Sequence, residues 1–129
     1  MDKEKEKAFK ILDNLTNNGL WTVRLNKKDY GYIENEKDVV CFSYSSLIDK
    51  KDKRFKEVFD KLAEDLLNTG KEYQHFIMAI EYNTNEPRMS EMDLFYEFYC
   101  KFIKGKKLSW GLAQHNGIET LRITLIASR

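Results

Sequence analysis

The residues of this chain whose types could do chemistry are two histidines, two cysteines and a pair of serines. His75 and His115 have no cysteine or second histidine nearby, whereas a metal site needs about three or four ligands at compatible spacing. Cys41 and Cys100 each stand among aromatic residues, where a free cysteine usually packs as a small apolar side chain. The Ser45-Ser46 pair lacks the glycine-flanked context of a catalytic nucleophile. The sequence therefore predicts no catalytic residue, no metal ligand and no cofactor.

Arginine and tryptophan residues are the stronger candidates for contact with a ligand or a partner. Arg24, Arg88 and Arg122 are the side chains that could bind an anion. Arg122 lies in an alternating strand pattern, which favours either an exposed strand arginine or a contact with an anion or an interface. Trp110 belongs to a set of aromatic residues larger than a small core holds, and exposed aromatics suit protein interfaces. We therefore predict Arg88, Arg122 and Trp110 as interface or anion contacts.

Length and composition predict a single folded domain, residues 1–129, and two widely separated cysteines predict a reducing cytoplasm. Hydrophobic residues make up 42% of the 129 residues and aromatic residues 13%, enough for a core. The 22 basic and 21 acidic residues give a net charge of +1, which predicts binding neither to nucleic acid nor to a membrane. The lysine cluster of Lys101, Lys104, Lys106 and Lys107 fits the carboxyl end of a helix better than a nucleic-acid site. No apolar run approaches the roughly 18 residues of a membrane span, and the charged amino terminus does not resemble a signal peptide.

Three segments have the apolar spacing of amphipathic helices. They are predicted at residues 3–18, at residues 54–67, and from Ser90 to about residue 104. Gly19 and Gly70 are predicted to end the first two helices, because glycine adopts the left-handed conformation that follows a helix. Asp52 and Ser90 are predicted to cap the second and the third.

Strand patterns lie between and after these helices, in the order α-β-(ββ)-α-β-α-β-β. An alternating pattern from Trp21 to Leu25 predicts the first strand, and residues 30–47 predict a hairpin of two strands. Residues 74–82 are apolar on both faces, which predicts a strand at the centre of the sheet. Residues 108–129 predict a final hairpin around the turn-forming pair Asn116-Gly117.

The last two predicted strands also carry a recognisable motif. Trp110-Gly111 is an aromatic-glycine pair, and residues 121–128 have the sequence Leu-Arg-Ile-Thr-Leu-Ile-Ala-Ser. This pattern resembles the close of the C-terminal domain of the bacterial tubulin homologue FtsZ. Residues 39–44, 54–67, 76–82 and 89–95 resemble the strands, helix and loop-to-helix junction that precede it, so that the likeness covers about residues 38–129. The resemblance implies an α+β fold with a mixed sheet of four or more strands and helices mainly on one face, an architecture shared with the Bacillus type of chorismate mutase.

Departures from the FtsZ pattern bear on function. The chain has no GGGTGTG-type loop, which in FtsZ binds GTP, so the resemblance implies that this chain alone does not bind GTP. FtsZ also supplies an acidic loop that acts on a neighbour's nucleotide. The nearest match here is residues 26–29, where two lysines intervene and Asp29 is interpreted as a turn residue. Residues 83–88 replace a glycine-rich loop of the family with a segment that contains no glycine.

Two functions from different classes follow from these observations. The first is a non-catalytic FtsZ C-terminal-like domain that acts through protein–protein contacts, either by self-association or on a tubulin-like filament. The alternative is a small ligand-binding protein or enzyme with a site between the subunits of an oligomer, which would need converging polar groups in a pocket. The sequence favours the first, because it presents no catalytic residue.

Overall fold

The computed structural model describes residues 3–18, 20–47, 53–116, 118 and 120–129. In chain order the elements are α1 (Lys3–Asn18), β1 (Leu20–Val23), α2 (Lys27–Tyr30), a 3₁₀ helix (Gly31–Asn35), β2 (Val39–Ser46), α3 (Lys53–Thr69), β3 (His75–Tyr82), α4 (Met89–Phe102), β4 (Lys107–Gln114) and β5 (Leu121–Ser128). The predictions made for Gly19, Asp52 and Gly117 lie outside the described residues.

The three long helices form where the apolar spacing predicts them, and their ends follow local chemistry. α3 ends at Thr69 because Gly70 has a φ of 66°, the left-handed conformation that glycine adopts without strain. Ser90, the predicted cap of α4, instead lies inside the first turn of that helix. The Glu91 carboxylate accepts a hydrogen bond from the backbone N–H of Arg88 and so stabilises the start of α4.

The five strands form one mixed sheet in the order β1-β4-β3-β5-β2. β3 is parallel to β4 and antiparallel to β5, while β1 pairs antiparallel with β4 and β2 antiparallel with β5. β3 lies at the centre and is buried from Phe76 to Tyr82, as its apolar residues on both faces predict. The predicted fold class, α+β with a mixed sheet, is confirmed.

β4 and β5 do not pair with one another, so the predicted final hairpin is wrong in its pairing. β3 lies between them, with Ile77 opposite Ser109 of β4 and Ile126 of β5. The most apolar strand takes this position because a neighbour on each side satisfies its backbone groups away from water. The two segments are therefore strands, as their patterns predict. The connection between them crosses over β3 instead of forming a tight turn.

The predicted hairpin at residues 30–47 is wrong in its first half, because the chain before β2 is helical. Tyr30 and Ile33 are three residues apart and are both buried against the sheet, which a helical turn allows. The backbone N–H of Asn26 donates to Asp29 Oδ2 over 2.8 Å, so the predicted turn there is the start of α2. Burial of two side chains from one helical face outweighs the strand propensity of tyrosine and isoleucine.

Helices cover both faces of the sheet. On the α3–α4 face, the two helices pack over Phe76, Met78 and Ile80 of β3. On the opposite α1 face, α1, α2 and the 3₁₀ helix cover Ile77 and Ala79. The α3–α4 layer contains the larger core, and α1 adds a second layer that isolates the sheet from water on its other side.

Candidate functional site

The carboxyl ends of β2, β3 and β4 meet at one end of the sheet, since these three strands run in the same direction. Open sheets commonly place ligand sites at such an end. Here Glu81, near the end of β3, is fully buried on the α1 face. Arg122 Nε and Nη2 donate to Glu81 Oε1 and Oε2 over 2.9 and 2.7 Å, and His115 Nδ1 lies 2.7 Å from Oε2. These three side chains form the Glu81 cluster.

Arg122 is not the exposed strand arginine that one interpretation of the sequence favoured. Its side chain is 29% exposed, and its guanidinium forms a bidentate pair with the unexposed carboxylate of Glu81. A buried carboxylate without a partner is strongly unfavourable, and Arg122 supplies Glu81 with a countercharge and two hydrogen bonds within the sheet. Because this pairing occupies Nε and Nη2, a contact of Arg122 with an anion or an interface stays a prediction.

His115 completes the Glu81 cluster just after the end of β4. Its Nδ1 lies 3.4 Å from Arg122 Nη2 as well as near Glu81, and its side chain is 17% exposed. A carboxylate bonded to one ring nitrogen orients an imidazole and selects its tautomer. What this arrangement could do chemically is hold or transfer a proton at the His115 ring.

A second buried ion pair lies on the α3–α4 face at the same end of the sheet. Arg54 Nε and Nη2 donate to Glu91 Oε2 and Oε1 over 2.6 and 2.9 Å, and the two side chains are 4% and 2% exposed. Arg54 also donates to the backbone oxygens of Asn85 and Thr120, over 2.9 and 3.3 Å. Arg54 therefore ties α3 to the start of α4 and to the loops that follow β3 and β4.

The other two candidate arginines, Arg88 and Arg24, are not part of the Glu81 cluster. Arg88 is exposed at the start of α4, and Arg24 Nε donates to Asn26 Oδ1 over 3.2 Å in the segment after β1. The buried pairing groups were missed by sequence reasoning. Glu81 offered a signal, a lone carboxylate in an otherwise apolar strand, whereas Arg54 resembles every other charged residue at the start of an amphipathic helix.

The amino end of β3 carries a matching polar cluster on the α1 face. Glu36 is hydrogen bonded to His75 Nδ1 and accepts a hydrogen bond from Ser128 Oγ over 3.1 Å. The Tyr32 ring packs edge-on against the His75 ring at 5.3 Å, and burial raises the pKa of Tyr32 to about 12. Each histidine thus pairs with a glutamate at one end of β3, and this cluster fastens the 3₁₀ helix to the sheet.

Trp110 lines an apolar groove between α4 and β4. The groove has a volume of about 300 Å³, and its other lining residues are Met92, Phe95, Tyr96, Tyr99 and Leu108. The Trp110 ring lies edge-on to the Phe95 ring at 5.1 Å, while Tyr96 at the rim is 64% exposed. The residue predicted as an interface contact therefore lies in an open apolar surface, here called the α4–β4 groove.

The structure explains why glycine occupies position 111, directly after Trp110. A Cβ atom on Gly111 would lie 2.5 Å from the Trp21 ring, 2.8 Å from Leu25 Cγ and 3.0 Å from the Val23 carbonyl oxygen. β1 can approach β4 closely only because that atom is missing. The aromatic-glycine pair thus combines a groove side chain with a close backbone contact.

Metal and membrane chemistry can be assessed only for the part of the chain that the structure describes. Within it, no three histidine, cysteine, aspartate or glutamate side chains come together in a way that could hold a metal ion. None of the helices in those ranges is long and apolar enough to cross a membrane. Cys41 is buried and Cys100 exposed, and both are free thiols.

Comparison with known proteins identifies the fold. No family model and no curated protein matches the chain. An empty FtsZ dimer from M. jannaschii matches 100% of this chain with a TM-score of 0.65 and 16% identity, and an FtsZ mutant from M. jannaschii matches 100% with a TM-score of 0.62 and 13% identity. The chain spans 40% and 42% of those two FtsZ chains. The chain has a tubulin/FtsZ C-terminal-like fold, as the terminal motif predicts.

Proposed function

We propose that this chain is a non-catalytic domain of the FtsZ C-terminal type that acts in the cytoplasm through protein–protein contacts, and that its partner is a tubulin-like filament. The observation that carries the proposal is the open α4–β4 groove on a domain of this fold. Its lining contains methionine, tyrosine and tryptophan side chains, which are types enriched in protein interfaces, and Tyr96 at its rim is exposed. The chain corresponds to about two fifths of the FtsZ chains that it matches.

The choice of a filament as the partner rests on what the matched proteins are. One of them is an FtsZ dimer, so a chain that contains this fold associates with a second copy of itself. A separate domain with the same fold would compete for the contacts of such a chain or add to them. Self-association of this chain is the simplest form of the same activity.

The charged clusters have a structural role in this proposal. Glu81 forms an ion pair with Arg122, and Glu91 forms one with Arg54. Both carboxylates therefore bind partners inside the domain and not a ligand. A buried ion pair adds little net stability over an apolar pair of the same size, but loss of one partner leaves an uncompensated buried charge. The apolar groove, with its exposed rim, then remains the surface for a partner.

Co-sedimentation with polymerised FtsZ tests the proposal. We expect the chain to pellet with the polymer, and Tyr96→Asp to abolish this, because a charge would enter the rim of the apolar groove. Leu67→Asp is the matched control, since Leu67 on α3 is 66% exposed against 64% for Tyr96. A wild-type chain that stays in the supernatant and does not change the polymer mass would contradict the filament as partner.

A second candidate is a binding or catalytic site between subunits, and the observation that favours it is the orientation of His115 by Glu81. A neighbouring subunit would have to supply the rest of the pocket. Light scattering that finds a stable trimer, together with thermal stabilisation by an anion or nucleotide that His115→Gln removes, would support it. A monomer with no stabilisation across such a panel would rule against it.

A further inference from the structure

Among the described residues, strand pairing covers only half the length of the outer edge of β4. β1 pairs with the carboxyl half, through the partners Leu20–Gln114, Trp21–Ala113 and Val23–Leu112. The chain then leaves this edge, because Leu25 is buried in the core of the α1 face and α2 begins at Lys27. Across the ranges that the structure describes, no strand pairs with the outer side of residues 107–110.

The backbone groups of two residues point out of this free edge. The Lys107 N–H donates to the Gln74 carbonyl of the chain leading into β3, and the His115 N–H donates to the Tyr82 carbonyl at the end of β3. Since successive strand residues alternate in direction, every second residue between them also faces β3. The N–H and C=O groups of Leu108 and Trp110 therefore point away from β3, towards the uncovered side.

The same two residues line the α4–β4 groove with their side chains. A strand added at this edge would place every second side chain over the groove, because side chains alternate between the faces of a sheet. The groove lining is uncharged, whereas lysines surround the amino end of β4: Lys106 Nζ lies 5.8 Å from the Phe76 ring centroid on the α3–α4 face, and Lys107 Nζ 5.4 Å from the Tyr32 ring centroid on the α1 face. Backbone donors and an apolar groove thus occur together at one edge, and positive charge lies on both faces of the sheet at the end where β4 begins.

We infer that residues 107–110 of β4 form a docking site for an extended segment of a protein partner, which adds to the sheet as an antiparallel strand in line with β1. The segment has apolar side chains at alternate positions and acidic side chains at the end that meets the lysine cluster. This inference rests on the proposed function and names the mode of contact. Main-chain hydrogen bonds supply affinity in strand addition, and side-chain pockets supply specificity.

A peptide titration tests the inference without any filament. The probe is a labelled peptide of alternating valine and threonine with three glutamates at its carboxyl end, followed by fluorescence anisotropy. We expect it to bind, and N-methylation of the alternate amides that face β4 to weaken binding on the order of tenfold, because it removes main-chain donors. A version with three lysines in place of the glutamates is expected to bind more weakly, with the difference diminishing at high salt.

A matched pair of variants tests the same point on the protein. Leu108→Pro removes the outward N–H while leaving the groups that bond to β3, since proline is tolerated where an edge N–H faces solvent. Leu108→Val shortens the side chain and keeps the N–H. We expect Leu108→Pro to lose about tenfold in peptide affinity relative to Leu108→Val. Should Leu108→Pro fail to fold, the N-methylated peptide gives the same information on the wild-type chain.

Each outcome bears on one of the two proposals. Equal binding of the N-methylated and unmodified peptides, or no binding of either, overturns strand addition even if the chain pellets with FtsZ. A chain that binds the peptide but does not pellet with FtsZ overturns the filament as partner and leaves strand addition in place. A dimer that Leu108→Pro dissociates puts a second copy of this chain on the edge and overturns the acidic partner segment.

Discussion

The two edges of the sheet are finished in different ways. At the β2 edge, the Cys41 N–H donates to Glu4 Oε2 over 2.8 Å and the Cys41 carbonyl accepts from Lys7 Nζ over 3.0 Å, both from α1. At the β4 edge, β1 covers the carboxyl half, and no strand of the described ranges pairs with the amino half, which lies beside the α4–β4 groove. The chain thus uses side chains to block the middle of one edge and a short strand to cover part of the other.

This difference separates a protected edge from an available one. Unpaired strand edges promote unwanted pairing, and proteins commonly block them with charged side chains. Glu4 and Lys7 do this for β2, where a carboxylate and an ammonium group replace a neighbouring strand. The unpaired part of β4 has an apolar groove beside it, and this combination is the basis of the docking site that we infer.

The largest effect is expected from the ion pair that positions α4, the wall of the groove. Glu91→Gln leaves the buried guanidinium of Arg54 without a countercharge, and we expect a loss of about 3 kcal/mol in the free energy of unfolding. Urea unfolding at neutral pH measures it. The control is Asp60→Asn in the exposed pair with Lys56, for which a change below about 0.5 kcal/mol is expected. Equal losses in the two variants would refute a structural role for the buried pair.

The next effect concerns the covered half of the β4 edge. Gly111→Ala places a Cβ atom 2.5 Å from the Trp21 ring, so that β1 must move, and we expect a loss of about 1–3 kcal/mol. Gly31→Ala is the control, because no atom lies within 4 Å of its added Cβ and its φ is −59°. Thermal unfolding followed by tryptophan fluorescence distinguishes them. The prediction fails if both substitutions leave the midpoint unchanged.

A smaller effect is expected at the protected edge. Glu4→Ala removes the acceptor of the Cys41 N–H, and we expect a loss of about 1 kcal/mol together with increased self-association. Glu6→Ala, at an exposed position on the same helix, should change neither. Unfolding curves and light scattering over a range of protein concentrations measure the two effects. An unchanged association state in Glu4→Ala would argue against edge protection.

The last prediction concerns the reactivity of a thiol rather than the free energy of unfolding. It tests how well α1 shields Cys41 of β2. Burial raises the pKa of the Cys41 thiol to about 11, so little of the reactive thiolate forms at pH 8. We expect an alkylating reagent at that pH to modify one thiol per folded chain, the exposed Cys100, and both thiols in urea. Mass spectrometry counts the adducts. Rapid double modification of the folded chain would show that the β2 edge opens readily.

Much of the candidate site could not be predicted, for reasons that specific residues make plain. Trp110, predicted as an interface contact, lies in the α4–β4 groove. The sequence could point to it because composition shows more aromatic residues than a small core holds. Arg122 was also singled out, yet its partner Glu81 lies 41 positions away in the chain. Nothing local to either residue reports that pairing, which depends on β3 lying beside β5.

What the sequence determined by itself is local. The apolar spacing of α1, α3 and α4, the left-handed glycine after α3 and the apolar run of β3 each depend on interactions within a few residues. The terminal motif indicates the fold because it combines the whole strand of residues 121–128 with the Trp110-Gly111 pair. These features are visible in the sequence because backbone geometry imposes fixed periods on side chains.

What only the tertiary structure decided is which segments become neighbours. β3 separates β4 from β5, residues 30–35 become helical to bury Tyr30 and Ile33, and β1 stops short of residues 107–110. Each of these arrangements buries apolar side chains, or pairs backbone groups, against segments that are distant in the chain. The free energy gained depends on all of those segments being in place together. The open edge of β4 results from the same competition, because burial of Leu25 draws the chain off the strand before the edge is covered.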